Sequence, residues 1–108
     1  MHIEKILDLG LYLGRQAAEQ TETQIDDELV DLLEAIRNDP FAREWFGARF
    51  DLHDRGLYLS EGEPSDETRL AFTAAGIPWG TLIARLPELL ALAKQLKDLL
   101  ASFKKKAA

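Results

Sequence analysis

The sequence predicts an all-α protein: a small bundle of five to six helices with an irregular or short β-hairpin insert around residues 50–64. Apolar residues recur every three or four positions along most of the chain, which is the period of an amphipathic helix. Residues that cap, start and stop helices separate these segments. A length of 108 residues, 46% of them hydrophobic and 30% charged, fits one small globular domain. We therefore predict a single domain over 1–108, with a subdivision into 1–49 and 65–108 as the alternative.

The first predicted helix begins near the N-terminus. Leucines at 7, 9, 11 and 13 also alternate as in a strand, but a strand does not explain why the pattern continues further. In a helix, one face collects Ile3, Ile6, Leu7, Gly10, Leu13, Gly14, Ala17 and Ala18. Leu9 and Tyr12 lie outside this face and are predicted to be exposed, as a contact with a partner or as ordinary scattered surface residues.

Gly10 and Gly14 are four residues apart on the predicted packed face. Glycine inside a helix costs about 0.5–1 kcal/mol relative to alanine, so two of them indicate a close helix crossing. That crossing is either within the chain or between two chains.

The second and third predicted helices follow a short polar segment. Thr21 or Thr23 is predicted to cap the second helix. Asp39 and Pro40 are predicted to be the N-cap and first residue of the third. Apolar side chains in these helices are predicted to be buried: Ile25, Leu29, Leu32, Leu33, Ile36, Phe41, Trp45 and Phe46.

Regular spacing changes after residue 49. Residues 50–59 alternate around Asp54-Arg55-Gly56, which predicts a hairpin or an extended loop, and residues 60–66 predict an exposed loop. Ser65 is predicted to cap a further helix that ends at Gly76. Its predicted inner side carries Leu70, Ala71 and Ala74.

The strongest helical pattern covers residues 88–103. Pro87 is predicted either to kink the preceding helix or to start this one. The apolar stripe contains Leu89, Leu92, Leu96, Leu99 and Phe103. The C-terminus is basic, whereas the rest of the chain is acidic; the basic residues are Lys104, Lys105 and Lys106. Their positive charge would interact favourably with the C-terminal end of the helix dipole or with a negatively charged partner.

Composition excludes several classes. The chain has no cysteine, which excludes disulfides and thiolate metal sites. The net charge of −6 argues against general nucleic-acid binding, because the phosphate backbone attracts positively charged proteins. Charged residues interrupt each apolar run, so neither a membrane span nor a signal peptide is predicted. We expect a soluble protein that is cytoplasmic or virion-associated.

The residues that could carry chemistry are His53 and a group of carboxylates. His53 and Asp51 would share a face of an extended segment, but a structural zinc site needs four ligands. Carboxylates at 26–28 and 31 suit a helix N-terminus. The chain has no glycine-rich phosphate loop. We predict no enzyme, no cofactor and no catalytic or metal-binding residue.

The segment Thr21-Glu-Thr-Gln-Ile-Asp-Asp-Glu-Leu-Val30 resembles one in small phage-encoded helical proteins, including some holin-like ones. Holin-like proteins need a membrane span, so the resemblance does not imply membrane lysis here. It implies a phage or prophage origin and a role that depends on protein contacts.

The predicted function is a non-catalytic protein–protein interaction or assembly module that self-associates, such as a virion or accessory component. One alternative is a small regulatory nucleic-acid-binding protein that uses the basic C-terminal helix; a second is a metal-binding or enzymatic protein centred on His53. The predicted interaction residues are Leu9, Gly10, Tyr12, Gly14, Leu92, Leu96, Leu99, Phe103, Lys104, Lys105 and Lys106.

Overall fold

Five α-helices make up most of the chain in a computed structural model that describes residues 3–16 and 26–107. They are α1 (Ile3–Gln16), α2 (Asp27–Asn38), α3 (Pro40–Asp54), α4 (Asp66–Ala74) and α5 (Trp79–Ala107). The described ranges contain no β-strand. The prediction of an all-α protein is therefore confirmed.

Side-chain caps fix the starts of α2, α3 and α4. The Asp39 carboxylate accepts a hydrogen bond of 2.8 Å from the Ala42 amide, and Ser65 accepts one from the Thr68 amide, as predicted. The cap of α2 is Asp26, which accepts from the Leu29 amide. The prediction of Thr21 or Thr23 as this cap is wrong, because the helix begins after Asp26; both threonines lie outside the described residues.

The predicted hairpin is absent from the described structure, where residues 57–65 form the irregular alternative. Residues 50–54 complete α3, because Phe50 is buried on the same helix face as Phe46. Gly56, at φ 73°, then ends the helix: its amide bonds to the His53 carbonyl, and the Leu57 amide bonds to the Leu52 carbonyl. This pair of bonds is a Schellman motif.

Gly76 ends α4 in the same way, at φ 74°. The predicted stop is confirmed, but the predicted inner face is wrong. Leu70 is 70% exposed and Ala74 is exposed, whereas Phe72 is 1% exposed. Residues 70 and 72 lie about 200° apart around a helix, so a short helix buries one of them. The aromatic ring offers the larger apolar area and takes the buried side.

One apolar core draws buried side chains from all five helices, chiefly leucine, isoleucine, phenylalanine and tryptophan. Helix α1 packs on α2, α3 and α5, while α4 packs only on α3 and α5 among the described elements. Helix α5 is 29 residues long and continues through Pro87, so Pro87 does not start a separate helix. At 1.5 Å per residue α5 spans about 43 Å, and it packs on all four of the other helices.

Candidate functional site

The structure exposes only one of the two residues that were predicted to be exposed on α1. Tyr12 is 61% exposed, as expected, but Leu9 is half-buried against the core. The prediction that Leu9 is exposed is wrong, because α1 lies between three other helices and more than one of its faces is covered.

Gly10 lies at a crossing inside the chain. A Cβ atom added at this position would lie 3.0 Å from Cδ1 of Leu96 in α5 and 3.2 Å from Cδ1 of Leu33 in α2. The glycine therefore lets α1 approach both helices closely. Gly14, one turn later, is half-buried.

The predicted stripe on α5 divides into a packed and an exposed part. Leu96 is buried and Leu92 is half-buried against the core, so both stabilise the fold. Leu99 is 36% exposed and Phe103 is 49% exposed. These two side chains form what we call the α5 end. The side chains of residues 104–106 lie outside the described part of the structure.

Three leucines that the sequence analysis did not select are exposed in the last turn of α3 and in the loop that follows it. Leu59 is 94% exposed, Leu57 is 62% exposed and Leu52 is 41% exposed. In the Schellman motif the Leu57 amide donates to the Leu52 carbonyl at 2.8 Å, so the backbones of these two residues lie close together. We call Leu52, Leu57 and Leu59 the leucine patch. The signal in the sequence was Gly56, which has the same helix-ending role as Gly76.

A polar network holds this loop against α3. Between Leu57 and Leu59, the half-buried Tyr58 donates its hydroxyl to Oε2 of Glu61 at 3.2 Å. Arg49 of α3 donates to both oxygens of Glu61, at 3.0 and 3.2 Å. The Arg49 guanidinium also lies 4.3 Å from the centroid of the Trp45 ring.

Burial and the nearby Glu61 charge raise the pKa of Tyr58 to about 12. The phenol therefore keeps its proton, and with it the hydrogen bond to Glu61, throughout the physiological range. Arg49 binds both carboxylate oxygens of Glu61 and also stacks over the Trp45 ring. The loop that carries Leu57 and Leu59 therefore has a defined conformation.

Exposed carboxylates follow the leucine patch along the chain. Glu63, Asp66 and Glu67 are exposed, and within the described residues none of them forms an ion pair. The segment from Glu63 to Glu67 therefore carries three acidic side chains.

Asp54, the last residue of α3, binds two of the lysines on α5. It accepts hydrogen bonds from Nζ of Lys94, at 2.6 Å, and from Nζ of Lys97. These bonds lower the pKa of Asp54 to about 2. Lys94 and Lys97 are thus occupied within the chain, which leaves less positive charge for a nucleic-acid partner.

Acidification should remove the contribution of Asp54 to the free energy of unfolding. Its folded-state pKa lies below the value of 3.8 for an unperturbed carboxyl, so the stabilisation is complete above 3.8 and is lost as the pH falls from there towards 2. We expect Asp54→Asn to unfold at lower urea concentration than the wild type at pH 6, and the difference to shrink towards pH 2. Asp51→Asn is the control, because its partner Arg55 is exposed; an equal effect of both variants would contradict the assignment.

The acidic start of α2 also has a partner within the chain. Arg85 of α5 donates to Asp26, Glu28 and Glu88, each at 2.9 Å. The hydrogen bonds from the Leu29 amide and from Arg85 lower the pKa of Asp26. These bonds link the start of α2 to α5. The carboxylates at the start of α2 therefore have a structural role.

The predicted pairing of Asp51 with His53 does not form. Both residues lie in the last turns of α3, where positions two apart point to different sides, and Asp51 instead contacts Arg55 at 3.1 Å. The described residues contain no group of three side chains able to hold a metal ion.

Comparison with known proteins adds no relative: neither a family model, nor a curated protein, nor a solved structure matches the chain. Among the described helices, none is long and apolar enough to cross a membrane. The phage resemblance of residues 21–30 stays a prediction, and residues 21–25 of that segment lie outside the described ranges.

Proposed function

We propose that the chain is a non-catalytic protein–protein interaction module whose contact surface includes the leucine patch. The observation that supports this most is the exposure of Leu57 and Leu59, at 62% and 94%, on a loop held by the Tyr58–Glu61–Arg49 network. Exposed apolar side chains grouped together, with charged residues at the edge, are typical of protein contacts.

The network makes the loop suitable for binding. A loop that already has its bound conformation loses less conformational entropy when it meets a partner. Glu61 accepts hydrogen bonds from both Arg49 and Tyr58, so these three polar groups are paired with one another while Leu57 and Leu59 remain exposed. A virion or accessory role remains part of the proposal and depends only on the resemblance at residues 21–30.

Replacing Leu57 and Leu59 by serine should abolish the contact in cells. We expect the tagged wild-type protein, cross-linked in cells of its source, to appear in complexes larger than its mass of 12.2 kDa. The double variant Leu57→Ser/Leu59→Ser should appear as the monomer, because most binding energy comes from a few buried apolar contacts.

Leu70→Ser is the matched control, since Leu70 is 70% exposed but lies on α4 outside the leucine patch. It should leave the cellular complexes intact. Circular dichroism should show unchanged helix content in all variants. A wild-type chain that stays monomeric in cells, or a double variant that retains its complexes, would overturn the proposed function.

A further inference from the structure

Residues 57–65 form an extended segment between α3 and α4. They contain neither a turn nor a bend, and none of them has a positive φ. The Leu57 amide makes the last backbone hydrogen bond before this segment, and the Arg69 amide makes the next one after it. Among the described residues, the amides of 58–63 and the carbonyls of 57–64 bond to no other backbone group. The main chain of the segment is therefore available to a partner.

Side chains support this segment on both sides of the peptide bond between Leu59 and Ser60. Tyr58 precedes the bond and Glu61 follows it, and the Tyr58 hydroxyl donates to Oε2 of Glu61 at 3.2 Å. Arg49 of α3 donates to both oxygens of Glu61 and, at 3.3 Å, to a backbone carbonyl of its own helix. Since Arg49 precedes Glu61 by 12 residues, the segment runs back along α3 and is supported by it.

The two residues that this peptide bond joins are both exposed. Leu59 is 94% exposed and Ser60 is exposed as well, whereas Tyr58 and Glu61 are half-buried. Endopeptidases bind a substrate chain in an extended form: hydrogen bonds to its main chain align it like an added β-strand, and a pocket takes one side chain. The segment offers both features, because its main chain is unpaired and Leu59 is almost completely accessible.

We propose that residues 57–63 form an inhibitory loop that binds the active-site cleft of a serine endopeptidase, with Leu59 in the apolar specificity pocket of the enzyme. This inference rests on the proposed function and names the class of its partner. A loop that is already held in one conformation loses little conformational entropy on binding, which favours tight association.

The chemistry of cleavage explains how such a loop could be bound without being consumed. The serine hydroxyl of the enzyme attacks the carbonyl carbon of Leu59 and forms an ester with it. The bond from this carbon to the Ser60 nitrogen breaks, and the hydroxyl proton passes to that nitrogen. In an ordinary substrate the new amine then diffuses away, and water hydrolyses the ester and regenerates the serine hydroxyl.

In this chain the side-chain support keeps the new amine in place. Arg49 holds Glu61 on α3, and Tyr58 binds Glu61 from the other side of the broken bond. The Ser60 amine therefore attacks the ester carbon again, returns a proton to the serine oxygen and restores the peptide bond. A reacting group that is held in position has a very high effective concentration, so this return is faster than hydrolysis by water.

Chymotrypsin is the probe for the inhibitory loop, because its specificity pocket is an apolar slot. We expect the purified wild-type chain to inhibit competitively the hydrolysis of a small chromogenic peptide by this enzyme. Mass spectrometry should show that the bond between Leu59 and Ser60 is cut at least about tenfold more slowly than in a synthetic peptide of residues 55–65. A chain that is cut as fast as the peptide, without inhibition, is an ordinary substrate and overturns the inference.

Exchanging Leu59 for lysine tests which side chain enters the pocket. Leu59→Lys should weaken the inhibition of chymotrypsin at least about thirtyfold, since a central buried contact is lost. The same variant should inhibit trypsin, whose specificity pocket carries a carboxylate. Leu70→Lys is the matched control: it makes the same change at an exposed leucine of α4 and should inhibit chymotrypsin like the wild type. If Leu59→Lys also inhibits chymotrypsin like the wild type, Leu59 is not in the pocket and the inference fails.

Removing the support should turn the inhibitor into a substrate. Glu61→Ala breaks the bonds to Arg49 and Tyr58, so we expect cutting after Leu59 to become at least about tenfold faster and the inhibition to fade with time. Tyr58→Phe keeps the bonds between Arg49 and Glu61 and should show a smaller change. Circular dichroism should show unchanged helix content in both variants. An unchanged cutting rate in Glu61→Ala would contradict the role given to the side-chain support.

The two proposals fail in different ways. A purified wild-type chain that does not inhibit chymotrypsin at any concentration overturns the inhibitory loop. If its cellular complexes are nevertheless lost in Leu57→Ser/Leu59→Ser, the interaction module stands and its partner is a protein of another class. If those complexes are absent as well, both proposals are overturned.

Discussion

Replacing Phe72 by alanine is expected to lower the free energy of unfolding by about 3–5 kcal/mol. The ring is 1% exposed, and its centroid lies 5.1 Å from that of Trp45, 5.5 Å from that of Trp79 and 5.7 Å from that of Phe41. The substitution therefore leaves a cavity and removes three aromatic contacts. Urea unfolding followed by tryptophan fluorescence measures the loss, since both tryptophans border the cavity.

Leu70→Ala gives the matched control on the same helix. Leu70 is 70% exposed, so its truncation should change the free energy of unfolding by no more than about 0.5 kcal/mol. The comparison decides which face of α4 is buried. Equal losses for the two variants, or a larger loss for Leu70→Ala, would contradict the orientation described above.

The starts of α3 and α4 were predicted correctly, whereas the cap of α2 was not. Asp39, Pro40 and Ser65 act through local geometry, because the cap accepts from an amide three residues away and proline fixes its own φ angle. Gly76 likewise requires only a positive φ. Such features depend on neighbouring residues in the sequence, so a single chain is sufficient to predict them.

Burial was harder to predict, because it depends on which helices meet. The pattern of α4 permits two apolar faces, and the position of Phe72 beside Trp45 and Trp79 selects one. Leu9 is half-buried because α1 is covered by three helices, a fact of tertiary packing. Sequence periodicity identifies a helix with more certainty than it identifies the covered faces.

The leucine patch was missed for a related reason. Residues 50–59 alternate in hydrophobicity, and Gly56 suits a hairpin turn as well as a helix end. What decides is Phe50, which extends the buried face of α3 by one turn and makes Gly56 a helix stop. After that stop Tyr58 turns inward towards Arg49 and Glu61, and the flanking leucines remain exposed.

Gly10→Ile should destabilise the monomer by about 1–3 kcal/mol, because overpacking forces neighbouring groups apart. The Cβ atom alone would meet Leu96 at 3.0 Å and Leu33 at 3.2 Å, and the remaining atoms of isoleucine have to enter the same crossing. The gain in helix propensity over glycine, about 0.5 kcal/mol, offsets only part of this cost. Urea unfolding at low protein concentration measures the effect.

Gly80→Ala separates this steric effect from the general effect of replacing a helical glycine. A Cβ atom at position 80 meets nothing within 4 Å, so the variant should gain up to about 1 kcal/mol by restricting the unfolded chain. If the two glycines of α1 instead form a contact between chains, Gly10→Ile would leave the stability of the monomer unchanged. A loss of stability in Gly10→Ile, beside a gain in Gly80→Ala, places the close helix crossing inside the chain.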